Sequence, residues 1–231
     1  MTSGQLHQSG FTLIEIAVVL VIVGLLLGGL LLPLGTQQEA QRVNETESAL
    51  NEARDALLGY AVANGSLPCP DTDNDGVEDP LAGPCSAQEG QLPWATLGSR
   101  SLDEVGGNRF RYRLASAYND HAAIDCGLAG DIDVCSAASG GTDCTAGTEV
   151  ALNVATVLLS HGKNGLGATN SAGNTLPAPT AADEVENADA DSVFVSRTPS
   201  DENAQNGQFD DILQFIPTTI LCSRLIQGNA L

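Results

Sequence analysis

Residues 11–32, FTLIEIAVVLVIVGLLLGGLLL, form an apolar run broken by one charged side chain, Glu15. No later stretch constrains the fold as strongly. A helix rises about 1.5 Å per residue, so the run reaches roughly 33 Å, close to the thickness of a hydrocarbon core. A secretory signal peptide has a shorter apolar core, and no small-x-small cleavage site follows Leu32. The expectation is a retained, single-pass anchor. Glu15 is its anomaly, because an ionisable group in hydrocarbon costs about 2.5–3.5 kcal/mol at a helix centre, and less near an end. Such a group is seldom placed there without a partner.

After the run the chain turns polar and stays helical in pattern. Over residues 33–65, Val43, Leu50 and Leu57 recur at intervals of seven, with Ala53, Tyr60 and Ala61 on the same stripe. Glu, Gln, Ala and Arg fill the rest. Asn64 and Gly65, with Pro68 beyond, predict the stop. One helix over residues 11–63 follows, with a kink or local melting at Gly28-Gly29 and Pro33. Its polar half carries a single apolar stripe, which needs something to pack against. Residues 66–231 are numerous enough to form a head with its own core.

The head opens with a Pro- and Gly-rich stretch over residues 66–107. RFRYRLAS, at residues 109–116, alternates Arg109, Arg111 and Arg113 with Phe110, Tyr112 and Leu114. ALNVATVLLS at 151–160, DSVFVS at 191–196 and FDDILQFI at 209–216 complete an expected antiparallel sheet of about four strands. Residues 168–187 are small, polar and acidic and read as a loop. Pro217 should end the last strand, leaving a short C-terminal helix or coil. The fold class is α+β.

Charge and cysteine narrow the chemistry. With Lys+Arg 9 against Asp+Glu 29, the net charge is −20. That disfavours nucleic acid, which needs Lys and Arg gathered on one face. All six cysteines lie beyond the anchor, none in CxxC. Zinc is therefore a poor reading, and disulfides in an oxidising compartment a good one. Of fifteen connectivities, the pairing chosen is Cys69 with Cys85, Cys135 with Cys144 and, by elimination, Cys126 with Cys222.

Gly10 followed by Phe11-Thr12-Leu13-Ile14-Glu15, an apolar span and an amphipathic helix resembles the N-terminus of type IV prepilins and of type II secretion pseudopilins. The resemblance covers about 55 residues. LPCPDTDNDG, LPWATLG, GGNRFRYRL, SHGKNG and FDDI are weaker echoes of pilin-like heads. The resemblance implies a leader over residues 1–10, cut between Gly10 and Phe11 by an inner-membrane prepilin peptidase. N-methylation of Phe11 would follow. It also implies a pilin-like fold, with residues 11–32 as the transmembrane half of the helix and 33–65 as its amphipathic half. The head, residues 66–231, would lie in the periplasm. Partners would be other pilin or pseudopilin subunits and an inner-membrane assembly platform. Glu15 would meet the terminal amine of a neighbouring subunit. One departure stands out: the leader has neither Lys nor Arg, so the positive-inside signal is weak.

Each sharper reading has a plainer rival. Glu15 could be an interfacial carboxylate reaching for the headgroups. Asp71, Asp73 and Asp75 in DTDNDG resemble the first half of a calcium loop closed by Cys69 and Cys85, although the twelfth position is Ala82, where an EF-hand has Glu. The rival is a solvated acidic turn, and no cofactor is required. Asp210 and Asp211 are a second cation candidate, or a turn cap. The three arginines face solvent, or an acidic surface of the next subunit. Trp94 reads as core. Ser160 and His161 are neighbours that a strand would point apart, without a GxSxG. Gly162-Lys163 runs into Asn164 where a phosphate loop needs Ser or Thr. No enzyme is expected. The reading is a filament subunit, minor rather than major. The alternative is a monomeric, membrane-anchored binding module, adhesin-like or calcium-dependent.

Overall fold

Helix α1 (Leu13–Asn64) leads the chain. The computed structural model describes residues 12–99 and 107–230, with backbone alone for 26–36. The chain divides into two compact units, Met1–Val43 and Asn44–Leu231.

In the first unit, Leu13, Ile14, Leu20, Val21 and Leu25 are all exposed. Among the described residues no helix is long and apolar enough to cross a membrane. The described apolar side chains, residues 13–25, rise only about 20 Å against a core of about 30 Å. The backbone is helical through Gly28, Gly29 and Pro33, so the local melting expected there is absent. Leu-rich turns before them and Glu/Gln/Ala-rich turns after them sustain propagation across the weak positions.

In the second unit, Leu50, Ala53, Leu57 and Ala61 of α1 are fully buried, the stripe that the heptad spacing marks. The helix stops at Asn64. Gly65, at φ 74°, donates its N–H to the Ala61 carbonyl at 2.8 Å, a left-handed cap that a side chain would strain.

The sheet has six strands: β1 (Glu89–Gln91), β2 (Arg111–Leu114), β3 (Ile132–Cys135), β4 (Glu149–Ser160), β5 (Val193–Val195) and β6 (Ile212–Pro217). β4 is its spine. Thr156 pairs with Leu114 of β2 and Ile216 of β6, while Val154 pairs with Ile132 of β3 and Pro217 of β6. A residue has two strand neighbours at most. β2 and β3 therefore lie end to end along one edge of β4, with β6 on the other. Phe110, Tyr112, Leu114, Val134, Leu158 and Phe194 fill the core with the α1 stripe and with Leu221 and Leu225 of α3 (Thr218–Gln227).

Three expectations need correction. Among the described residues the sheet has six strands, not four: β1, EGQ, has no apolar side chain to mark a face, and β3, IDVC, is a four-residue alternation that sequence reasoning passed over. It is not wholly antiparallel, since β5 runs parallel to β3. Residues 168–187 are not an open loop: Thr169 pairs with Thr175, and Ala182–Glu186 form α2. The acidic side chains there are buried as acceptors for backbone amides. Asp183 takes the Ala138 N–H at 2.8 Å and Glu186 the Gly140 N–H at 3.3 Å. Pro217 does end β6, and a helix follows.

Three disulfides staple the second unit: Cys69–Cys85, Cys135–Cys144 and Cys126–Cys222. This is the pairing chosen from the sequence.

Candidate functional site

Gly10 and Phe11 lie outside the described residues. Glu15 lies within them, exposed, in the first turn of α1. Its N–H donates to the Thr12 carbonyl at 3.1 Å, and its Oε2 accepts the Thr12 N–H at 3.4 Å. That is half of a capping box, with the carboxylate reaching back to an orphan donor at the helix start. Thr12-x-x-Glu15 was visible in the sequence as this signature, and sequence reasoning passed over it.

The acidic loop after Pro70 is organised by its first residue. Asp71 is buried, with Oδ1 accepting the N–H groups of Asp73 (3.1 Å) and Asn74 (2.7 Å) and Oδ2 that of Gly76 (2.7 Å). Burial raises its pKa. The three amides pull the other way without cancelling that, and Asp75 adds to the rise. Carboxylate oxygens of Asp71, Asp73 and Asp79 lie within 4.8 Å of one another. Asp75, proposed as the third ligand, is not in that group and instead accepts the Val77 N–H at 2.7 Å. Asp79 accepts both the N–H and the hydroxyl of Thr72, each at 2.7 Å, and these bonds lower its pKa. Asp71 thus spends three of its lone pairs on the loop's own backbone, where a calcium ion wants most of them free.

Trp94 stands against this loop. At Gly76, φ is 87°, and a Cβ would come within 2.2 Å of the indole. Trp94 is half-buried and lies outside the main core, with the Arg109 guanidinium 5.6 Å above its ring. The other two arginines are not a free basic face. Glu89 binds both, its Oε1 accepting from Nε and Nη2 of Arg111 and its Oε2 from Arg113 at 3.1 Å, in the β1–β2 register that sets Glu89 opposite Arg113. Arg111 also donates to the Asn187 carbonyl and Arg113 to that of Ala190. Alternation placed these side chains on one face, as read. It could not show that residues 187–190 would cover that face.

Asp210 and Asp211 come together with Glu184, which sequence reasoning missed because it sat in the supposed loop. Glu184 accepts from the Asn164 side chain at 2.9 Å and from the Asp210 N–H at 3.2 Å. Asp210 accepts the Asn164 N–H at 3.1 Å, and Asp211 the Asn187 side-chain amide at 2.8 Å. The group ties the turn after β4 to α2 and to the start of β6. His161, buried beside it, has its pKa lowered to about 3 by burial and by the Arg111 charge. The ring is therefore neutral, and its 3.9 Å approach to Asp211 is not an ion pair.

Comparison with known proteins bears on the N-terminus. Residues 6–31 match the prokaryotic N-terminal methylation motif, so the chain carries the prepilin-type cleavage and methylation signal of type IV pilins and pseudopilins. No curated protein and no solved structure matches the chain.

Proposed function

From a processing signal at residues 6–31, we propose that the chain is a structural subunit, a minor pilin or pseudopilin, of a type IV pilus or type II secretion-type filament. Prepilin peptidase cuts between Gly10 and Phe11 and the new amine of Phe11 is methylated. Residues 11–32 hold the subunit in the inner membrane, with its head in the periplasm. Assembly with other pilin-like subunits on an inner-membrane platform proceeds through the N-terminal helix. The head is a binding and spacing element without catalytic work, and needs no metal.

The observation that carries this reading is register. Cleavage between Gly10 and Phe11 would leave two residues before Leu13, where α1 begins, and Glu15 falls in the first helical turn. Glu15 is exposed and bonded by the long Thr12 contact, so its carboxylate is open to a neighbouring amine, which satisfies a charge otherwise costly in lipid.

Intact mass spectrometry of protein extracted from membranes of cells with an active prepilin peptidase tests the reading. A mass lacking residues 1–10 and carrying one methyl group is expected. Glu15→Gln should be processed and inserted yet missing from sheared filaments. A full-length, unmethylated mass would overturn the filament reading in favour of a monomeric anchored binding module.

A further inference from the structure

His121 is held by both ring nitrogens. Nε2 is 2.7 Å from Glu78 Oε2, and Nδ1 is 2.7 Å from the Gly83 carbonyl, with the Cys69 sulfur a third neighbour at 3.6 Å. Each neighbour is an acceptor. A neutral imidazole has one N–H and can satisfy one of them; an imidazolium has two and satisfies both. Cys69 is committed to its disulfide, so the Cys69, Glu78 and His121 group is not a thiolate metal site.

The contacts join three distant segments. Glu78, buried, accepts the Tyr60 hydroxyl of α1 at 3.0 Å through Oε1 and the Cys69 N–H at 2.9 Å through Oε2. Gly83 sits on the far arm of the Cys69–Cys85 loop. The ends of that arm are held independently, Cys85 by its disulfide to Cys69 and by its N–H on the Asn119 carbonyl (2.7 Å), and Asp79 by its N–H on the Pro70 carbonyl (3.3 Å) and by its carboxylate on Thr72, with the Ser86 N–H on the Asp79 carbonyl (3.0 Å); between them the Gly83 carbonyl meets the His121 ring. His121 itself adopts φ 55°, rarely occupied by non-glycine residues, so the ring contacts offset a local backbone cost.

We propose that His121 is a proton-operated latch: its doubly protonated ring ties residues 80–84, the segment between Asp79 and the Cys69–Cys85 bond, to the end of α1 through Glu78, and loss of one ring proton loosens that segment. The carboxylate is the stronger acceptor and keeps the remaining N–H. The Nδ1 lone pair then faces the Gly83 carbonyl, and the arm bearing the exposed Leu81 lifts.

The groups facing the ring are Glu78 and Asp120, with Tyr60 of α1 and Tyr112 of β2 behind Glu78. Burial lowers the His121 pKa. The Glu78 and Gly83 contacts and the Glu78 and Asp120 charges outweigh it, for a net rise. The phenols stay neutral: Tyr60 is pushed up to about 12 by burial and by Glu78, and Tyr112 is raised well above its ordinary value by burial. His121 is thus the group that switches. A histidine raised on folding contributes fully below its unfolded value, about 6.5, and loses that contribution as pH rises through its folded value.

Hydrogen exchange of the full-length chain in detergent, at about pH 5.5 and 8.5 and corrected for intrinsic rates, reads the latch. Protection of the Cys85 and Ser86 amides, which bond across the end of the latched segment, should fall by about tenfold at the higher pH, the equivalent of one pKa unit. Protection of β4 should not change. His121→Gln should abolish the pH dependence. Equal protection at both values in the wild type, or the same fall in His121→Gln, would overturn the proposal. Should His121→Gln lose β4 protection and so fail to fold, a titration of 13C-labelled histidine in the wild type decides. A His121 midpoint above about 6.5 with amide signals of residues 81–83 shifting at the same midpoint upholds the latch, and a midpoint at or below that value, or loop signals that do not follow the ring, rejects it.

Discussion

At the scale of single residues, Glu89 has the most to lose. Its side chain is 9% exposed and holds Arg111 and Arg113, themselves 16% and 11% exposed. Glu89→Ala strands two guanidinium groups, and removing one member of a buried pair costs about 3–5 kcal/mol. A fall in urea midpoint equivalent to about 3 kcal/mol is expected; a loss under about 1 kcal/mol would mean that solvent screens the site after all. His161 makes the opposite prediction to His121. Its folded pKa is depressed to about 3, so its contribution is present above the unfolded value of about 6.5 and drains away as pH falls towards 3. Its ring carbon signal should stay constant between about pH 8 and 5 while that of His121 moves. A His161 midpoint near 6 would show the ring to be wetter than its burial implies. None of this pairing was legible in the sequence. Glu89 and His161 could be named as ionisable groups, but Glu89 meets arginines 22 and 24 positions away and His161 lies beside Asp211, whereas Asp71 bonds amides only two to five positions ahead.

Elements were legible where an apolar pattern marked them, and length helped without deciding. α1 announced itself through its apolar run, its heptad stripe and the Asn64-Gly65 stop. β4, at 12 residues, showed as a buried strand. β2 and β5, at 4 and 3 residues, were read from their apolar side chains, while β1, EGQ, has none to mark a face and the short alternation of β3, IDVC, was passed over. The acidic stretch holding α2 failed differently, because composition reports solvation only where side chains stay in water. The disulfides rank the elements by what they restrain. Loop closure of about 100 residues is worth about 4.7 kcal/mol and of about 15 residues about 3. With separations of 96, 16 and 9, replacing the Cys126–Cys222 pair by alanine should cost most and the Cys135–Cys144 pair least. Denaturant midpoints of the three double variants check the order. If Cys135–Cys144 proved the costliest, contacts of the oxidised loop with α2, and not chain entropy, would dominate.

For the whole molecule, the charge of −20 is the dominant condition. Self-repulsion on this scale weakens with salt, as the Debye length shrinks from about 30 Å at 0.01 M to about 8 Å at 0.15 M. The melting temperature should rise across that range. Because Asp71 is spent on its own loop, millimolar calcium should add no more than the same concentration of magnesium. A rise specific to calcium and reversed by a chelator would return the ion to that loop. The Cys126–Cys222 bond also has a consequence under load. A chain under tension lengthens by about 3.5 Å per freed residue. The bond locks away 96 residues of separation, some 330 Å of contour that tension cannot draw out while it is intact. In the oxidised state tension can draw out only the segments outside the bonded loops, and reduction adds the whole of that hidden length to the tether.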